Sequence, residues 1–175
     1  ADGLRTSDNL DMYNGAPDKY NWELKGKKEI YIPYNNFKIM DPELEYEDII
    51  QAGHMNQDLI RYEKHRVWVV EGSLKEGERH IYSKRTMYID EDSWTASIID
   101  HYDGRGELWL VGEALNTQFY NQDVPWMAAE ALYDLNSGRY ISLGLGNEED
   151  PYMEWDIEVS RDEFTTNSLR RKGFR

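Results

Sequence analysis

Residues 65–102 decide the fold that we expect for this chain, and they read HRVWVVEGSLKEGERHIYSKRTMYIDEDSWTASIIDHY. Three segments, His65–Ser73, Arg79–Asp90 and Trp94–Tyr102, are rich in the β-branched and aromatic residues that strands favour. Short polar turns separate them. Such turns join antiparallel neighbours, whereas parallel strands need crossovers of about a dozen residues. The stretch therefore predicts three consecutive antiparallel strands.

The same rhythm continues on both sides of this stretch. Alternation over Lys28–Ile32 predicts an earlier strand. Later strands are predicted over Glu107–Tyr120, Trp126–Leu135, Arg139–Leu145 and, as a further candidate, Glu154–Ser160. The whole pattern predicts a mainly β fold with few short helices, an antiparallel meander that forms a curled sheet or an incomplete barrel. A flat sandwich whose second layer lies elsewhere in a longer chain is the alternative, since several strands carry large apolar groups on both faces.

Composition divides the chain into three parts. Residues 1–24 hold clusters of Gly, Asn, Asp and Pro, which predict an extended N-terminal arm. Residues 25–160 form the predicted β domain, with residues 41–60 as an insertion that is either a short acidic helix or a loop. Residues 161–175 make a basic tail, which we expect to be solvated or to bind a membrane or a partner. Within it, residues 166–168 could cap a short terminal helix.

Charge and composition exclude several classes of protein. The 175 residues include 34 acidic and 20 basic ones, which gives a net charge of −14. Proteins that neutralise DNA phosphates carry the opposite sign, so we expect no nucleic-acid partner. No run of about 18 apolar residues occurs, so no transmembrane segment is expected. The absence of cysteine excludes disulfides and Cys-based zinc sites, while an aromatic content of 13% indicates that the chain folds.

No motif in the sequence supports catalysis or a cofactor. The acidic clusters 90–92 and 148–150 fall where turns are expected, and the first lacks the spacing of an EF-hand calcium loop. The histidines lack the short spacing that metal-binding pairs commonly use, although a site assembled from histidine and carboxylates across strands stays open. We therefore predict no enzyme, no cofactor and no metal site. The histidines are His54, His65, His80 and His101.

Tryptophans at positions 68, 94, 109 and 126 are the most unusual feature of the chain, because each lies on a predicted strand or at its start. Side chains of this size can line an apolar cavity, and the alternative is that they only fill a core. The residues predicted to contact a hydrophobic ligand are Trp68, Val70, Met87, Ile89, Trp94, Ile98, Trp109, Val111 and Trp126.

Several strings of sequence together resemble one bacterial family. They include YNGAPDKYNW (13–22), HRVWVVE (65–71), YIDEDSW (88–94), YDGRGELW (102–109) and FTTNSLRR (164–171). Over nearly its whole length, the chain resembles the Gram-negative family known as domain of unknown function 1329 (DUF1329). Members of that family are often labelled outer-membrane lipoprotein-sorting-like. The family is grouped with the lipoprotein carrier LolA and the receptor LolB.

The resemblance implies a fold, a location and a role. LolA and LolB fold as an incomplete antiparallel barrel around helices, with an apolar cavity for acyl chains. Family members are longer exported precursors, so this chain is expected to be the C-terminal portion of a periplasmic protein linked to the outer membrane. The implied role is a non-enzymatic binding or carrier module for a lipid or another hydrophobic molecule. The alternative is a structural module that binds other envelope proteins without a small-molecule ligand.

Overall fold

Seven strands form the core of the protein, in a computed structural model that describes residues 3–150 and 153–173. Each strand pairs antiparallel with the next one along the chain, and within the described ranges the first and last strands do not pair with each other. The predicted antiparallel meander is therefore confirmed, as an open sheet. The strands are β1 (Tyr20–Pro33), β2 (Tyr62–Leu74), β3 (Lys84–Asp90), β4 (Ala96–Tyr102), β5 (Leu108–Phe119), β6 (Val124–Asp134) and β7 (Tyr140–Leu143).

Helices are few and short, as predicted. Among the described residues, α-helix is limited to α1 (Tyr46–Ile49) and α2 (Thr166–Lys172). The insertion at 41–60 is therefore mostly loop, with one turn of α-helix. The terminal helix is capped by Thr165, one residue before the predicted cap at 166–168, because the Thr165 hydroxyl accepts a hydrogen bond from the Ser168 backbone N–H at 3.2 Å. No helix in the described ranges combines the length and the apolar content needed to cross a bilayer.

The first strand begins at Tyr20, five residues before the predicted start of the β domain at Lys25. Trp22 is paired with Gly72 of β2 in this extension, and its ring occupies the space beside Gly72 where a side chain would otherwise lie. A side chain at position 72 would occupy the space of that ring. The end of the predicted arm is therefore part of the sheet.

Two other predicted strands differ more than the rest from the structure. The chain turns before β3, where the His80 ring Nδ1 accepts the Tyr82 backbone N–H at 3.0 Å, so the strand begins at Lys84 rather than Arg79. Residues 154–160 form no strand and are mostly exposed, so that candidate was wrong. In both places, periodicity suggested a strand where the described part of the chain offers no neighbouring strand to pair with.

One side of the sheet, which we call the insertion face, is covered by residues 34–60. Two contacts attach this segment and its end to β5: the Asn36 backbone N–H donates to the Asn116 carbonyl, and the Tyr62 hydroxyl donates to the Glu113 carboxylate, both at 3.0 Å. Since β3 and β4 lie between β2 and β5, the second contact shows that the sheet curls over this face. The buried cluster here consists of Ile39, Ile49, Met55, Leu115, Ala128, Ala129 and Ala131.

The opposite side, which we call the arm face, is covered by residues 3–19. Arg85 on β3 is completely buried beneath this arm and forms an ion pair with Asp8 of the arm. Its guanidinium carbon lies 4.9–5.1 Å from the ring centres of Tyr13, Tyr20 and Tyr82. Aromatic faces attract a cation at this range. The arm is therefore held on the sheet by the buried Arg85 side chain, which it covers and to which it supplies the Asp8 carboxylate.

His101 on β4 lies in the same interface and is 1% exposed. Its Nε2 atom is 3.3 Å from the side-chain amide nitrogen of Asn9, which ties it to the arm. Burial, followed by the positive charge of Arg85, lowers the pKa of His101 to about 3. The imidazole is therefore uncharged in the folded protein at neutral pH.

Replacing Gly72 with alanine tests the packing that starts β1. The added Cβ would lie 2.5 Å from the Trp22 ring, so the ring must move away from β2. We expect Gly72→Ala to lower the free energy of unfolding by about 1–3 kcal/mol, as overpacking usually does. Urea titration measures this change. Gly104→Ala is the matched control, because nothing lies within 4 Å of its Cβ position. Equal destabilisation of the two variants would contradict the role of this contact.

The buried imidazole of His101 predicts a stability that depends on pH. Because its pKa is lowered on folding, the unfolded chain takes up a proton below about pH 6.5 that the folded protein does not. This contribution to stability is complete above that pH and is lost as the pH falls, by about 2 kcal/mol between pH 7 and pH 5. We expect His101→Gln to lack this loss in urea titrations over that interval.

The control for this experiment is His54→Gln, at an exposed position in the insertion. That variant should keep the pH dependence of the parent protein. Burial also lowers the pKa of His80, but His80 is present in all three proteins, so their comparison isolates His101. An unchanged pH dependence in His101→Gln would show that the ring is not held uncharged.

Candidate functional site

The nine residues predicted to contact a ligand do not line a single cavity. Trp68, Val70, Met87 and Ile89 share the arm face, because Trp68 is paired with Ile89 and Val70 with Met87. Met87 is buried beneath the arm, and the Lys27 ammonium lies 4.3 Å above the centre of the Trp68 ring. These four residues form one continuous patch, which is partly covered by the protein itself.

Two β-bulges change which face of the sheet the remaining strand residues lie on, and strict alternation along a strand does not predict them. One bulge makes Tyr88 pair with Ile98 but Ile89 pair with Ala96, so Ile98 lies on the insertion face. Val111 is on that face too. The other bulge is at Trp109 itself, which is the extra residue between Leu108 and Leu110, and its ring packs against Tyr82 at 5.8 Å between centres. The Trp109 indole N–H donates to the Asp134 carboxylate at 3.2 Å.

The last two predicted residues are the most exposed of the nine. Trp94 lies in the turn after β3 with a φ of 58°, and its side chain is 70% exposed. Trp126 is on β6 and is 46% exposed. Of the predicted tryptophans, Trp126 is the one that lies at a concave surface.

That surface is a cleft of about 560 Å³ between the arm, β6, β7 and Met153, which we call the arm cleft. Its apolar lining consists of Leu10, Trp126, Met127, Ala129, Leu143 and Met153. Leu10, Leu143 and Met153 come from a turn, an edge strand and a loop, so alternation within strands did not identify them. The sequence feature that could have indicated this cleft is Leu10, an exposed apolar residue in the mostly polar arm.

Two carboxylates also reach the arm cleft, and one of them is engaged by the arm. Glu130 accepts hydrogen bonds at 3.0 Å from the Arg5 guanidinium and from the Met12 backbone N–H. Burial raises the pKa of Glu130, although these two donors act in the opposite direction. The other carboxylate, Asp11, is exposed at the rim. The floor of the cleft is thus suited to an apolar group more than to an anion.

An aromatic row begins at the mouth of the cleft. Trp155 lies 6.3 Å from Trp126 and 5.0 Å from Phe119, measured between ring centres. Phe37 continues the row, 6.3 Å from Phe119 and 6.4 Å from Tyr120. The exposed fractions of Phe37 and Tyr120 are 44% and 67%. This end of the β5–β6 hairpin therefore presents a ridge of accessible rings.

The histidines fall into separate environments. His80 and His101 both lie beside Tyr82, and the His80 Nε2 atom is 3.0 Å from the Asp8 carboxylate. His65 lies elsewhere on β2, with its Nδ1 atom 2.9 Å from the Asp90 carboxylate. The three histidines that were predicted to lie in strands, His65, His80 and His101, therefore do not converge on one cleft.

Comparison with known proteins places the chain in a family. The profile of the family described as "Protein of unknown function (DUF1329)" matches residues 1–170. The uncharacterized protein PA3922 of Pseudomonas aeruginosa is 61% identical over 175 residues. That alignment covers 100% of this chain but 38% of the relative, so the chain spans about two fifths of that protein.

Two solved structures are similar to this fold. A putative outer membrane lipoprotein-sorting protein domain from Vibrio parahaemolyticus has a TM-score of 0.51 and 13% identity, covering 93% of this chain and 53% of that one. A DUF1329 family protein from Desulfovibrio piger has a TM-score of 0.47 and 13% identity, covering 95% of this chain and 58% of that one. At 13% identity, the match to the Vibrio domain is evidence of a similar fold and of nothing more. The profile match and the sequence identity to the Pseudomonas protein establish that this chain belongs to the DUF1329 family.

Proposed function

We propose that this chain is a non-enzymatic binding or carrier module of the bacterial periplasm, which holds a lipid or another hydrophobic molecule in the arm cleft. The arm cleft is the observation that carries the proposal. Its volume of about 560 Å³ lies within the usual range for small-molecule sites. Its lining is mostly apolar, and an accessible tryptophan stands at its mouth.

The chemistry of the lining favours an apolar chain over a charged ligand. The Glu130 carboxylate already accepts hydrogen bonds from Arg5 and Met12 of the arm, so a ligand needs no positively charged group to pair with it. An acyl chain could lie against Met127 and Leu143, because methionine adapts its shape to irregular apolar partners. The fold shared with a putative lipoprotein-sorting domain supports an envelope role of this kind.

A displacement experiment tests the proposal. The protein is titrated with a hydrophobic fluorophore such as N-phenyl-1-naphthylamine, followed by a panel of fatty acids and phospholipids. We expect saturable binding that Leu10→Asp weakens by at least about tenfold, since the change places an unpaired carboxylate against the apolar ligand and burying such a charge is strongly unfavourable. Leu10 is 42% exposed, so its replacement should leave the fold intact.

Leu135→Asp is the matched control, because Leu135 is similarly exposed at 53% but lies outside the arm cleft. It should bind the fluorophore as the parent protein does. The absence of binding across the panel, or an equal loss in both variants, would exclude the arm cleft as the site.

A second candidate function is docking to another envelope protein through the aromatic row, which the exposure of Phe37 and Tyr120 favours. Tyr120→Ala would then reduce co-purification of a partner from a periplasmic extract. Tyr31→Ala is its control, because Tyr31 on β1 is 68% exposed and Tyr120 67%. Since Tyr120 does not line the arm cleft, fluorophore binding should be unaffected by either change.

A further inference from the structure

One end of the β2–β3 pair brings together a histidine and two aspartates that neither the arm nor the arm cleft uses. His65 is on β2, Asp90 is the last residue of β3, and Asp92 follows in the turn. Because Val67 is paired with Asp90, His65 lies two residues further along the same face, at a diagonal position. Diagonal neighbours are within reach of long side chains. The strand register thus explains why these groups meet.

The spacing of their polar atoms matches that of ligands around a small metal ion. His65 Nδ1 lies 2.9 Å from Asp90 Oδ1, a hydrogen-bond distance, and 3.8 Å from Asp92 Oδ2. A bound ion would take the place of the proton between His65 and Asp90. One atom from each of the three residues lies within 4.8 Å of the other two. Tetrahedral ligands about 2.0–2.2 Å from zinc are about 3.4 Å apart, a value between the two measured distances.

Asp90 is held in one orientation. Its carboxylate is completely buried, and Oδ2 accepts hydrogen bonds from the Ser93 backbone N–H at 2.9 Å and from the Ser93 hydroxyl at 2.7 Å. Oδ1 is left directed at His65. Asp92, in contrast, is 72% exposed, so the group opens to solvent on one side.

The His65 ring is positioned from its other side. Tyr34 packs against it, with 4.2 Å between ring centres and a tilt of 37° between the ring planes. Nε2 lies 3.9 Å from a Glu63 carboxylate oxygen, which is beyond hydrogen-bond distance. Glu63 itself accepts hydrogen bonds from the Arg61 guanidinium and the Asn35 amide, at 3.0 and 2.8 Å.

The charge around this group also suits a cation, because carboxylate oxygens of Asp90, Asp92 and Glu63 all lie within 3.9 Å of a His65 ring nitrogen. The donor set is one imidazole and two carboxylates, which zinc accepts, whereas calcium requires six to eight oxygens and magnesium a near-octahedral oxygen shell.

We propose that His65, Asp90 and Asp92 bind one Zn²⁺ ion, with the position facing solvent left for water or for a group from another molecule. The ion would join the end of β2 to the turn after β3. The sequence predicted no metal site. It gave no sign of this one because His65 and Asp90 are 25 positions apart along the chain, and Asp92 follows two positions later. It is independent of hydrophobic binding in the arm cleft, so either proposal can fail without the other.

The test is titration of chelator-treated protein with Zn²⁺ in competition with a chromophoric chelator. We expect one Zn²⁺ per chain, and Asp92→Asn should weaken binding by at least about tenfold. Asp92 is exposed, so this variant should fold normally even if His65→Ala does not. Loading with Co²⁺ gives a second readout, the visible absorption of tetrahedral cobalt, which Asp92→Asn should reduce.

The matched controls are Asp18→Asn, an exposed acid near the start of β1, and His54→Ala, an exposed histidine of the insertion. Both should bind Zn²⁺ as the parent protein does. Absence of stoichiometric Zn²⁺ binding, unchanged affinity in Asp92→Asn, or preference for Ca²⁺ over Zn²⁺ would overturn the proposal.

Discussion

A single meander sheet with large apolar residues on both faces needs cover on both sides, and the described part of this chain supplies that cover from segments outside the sheet. On the arm face, the buried charge of Arg85 requires the Asp8 carboxylate, because an unpaired buried charge is strongly unfavourable. On the insertion face, residues 34–60 supply Ile39, Ile49 and Met55 to the core. The positions of both segments follow from these contacts.

The candidate sites lie where this cover ends. The arm cleft forms where the turn at Leu10 meets β6 and β7 without closing over them. The His65, Asp90 and Asp92 group lies on the β2–β3 pair, where β2 extends beyond β3 and the turn after Asp90 folds back. A sheet covered by loops rather than by a second sheet thus leaves functional groups at its margins, while its centre is packed.

Much of the architecture followed from local patterns. Short turns between β-rich segments predicted an antiparallel meander. The polar composition of residues 1–24 predicted an extended arm, but β1 begins at Tyr20, inside that range. The candidate site was predicted less well. Its nine residues came from strict alternation, but the bulges beside Ile89 and Tyr102 shift the alternation by one residue, so Ile98 lies away from Met87. Bulges depend on how two strands fit together, and neither strand alone encodes them.

The sequence by itself determined the class of fold, the order of strands and the absence of cysteine chemistry, because turn length and side-chain period are local properties. Only the tertiary structure decided which tryptophan stands at a cleft, which histidine meets two carboxylates, and which arginine is buried. Those outcomes depend on strand register, on the curl that brings Tyr62 to Glu113, and on the docking of the arm. Each of them joins residues that are distant along the chain, so no short window of sequence contains them.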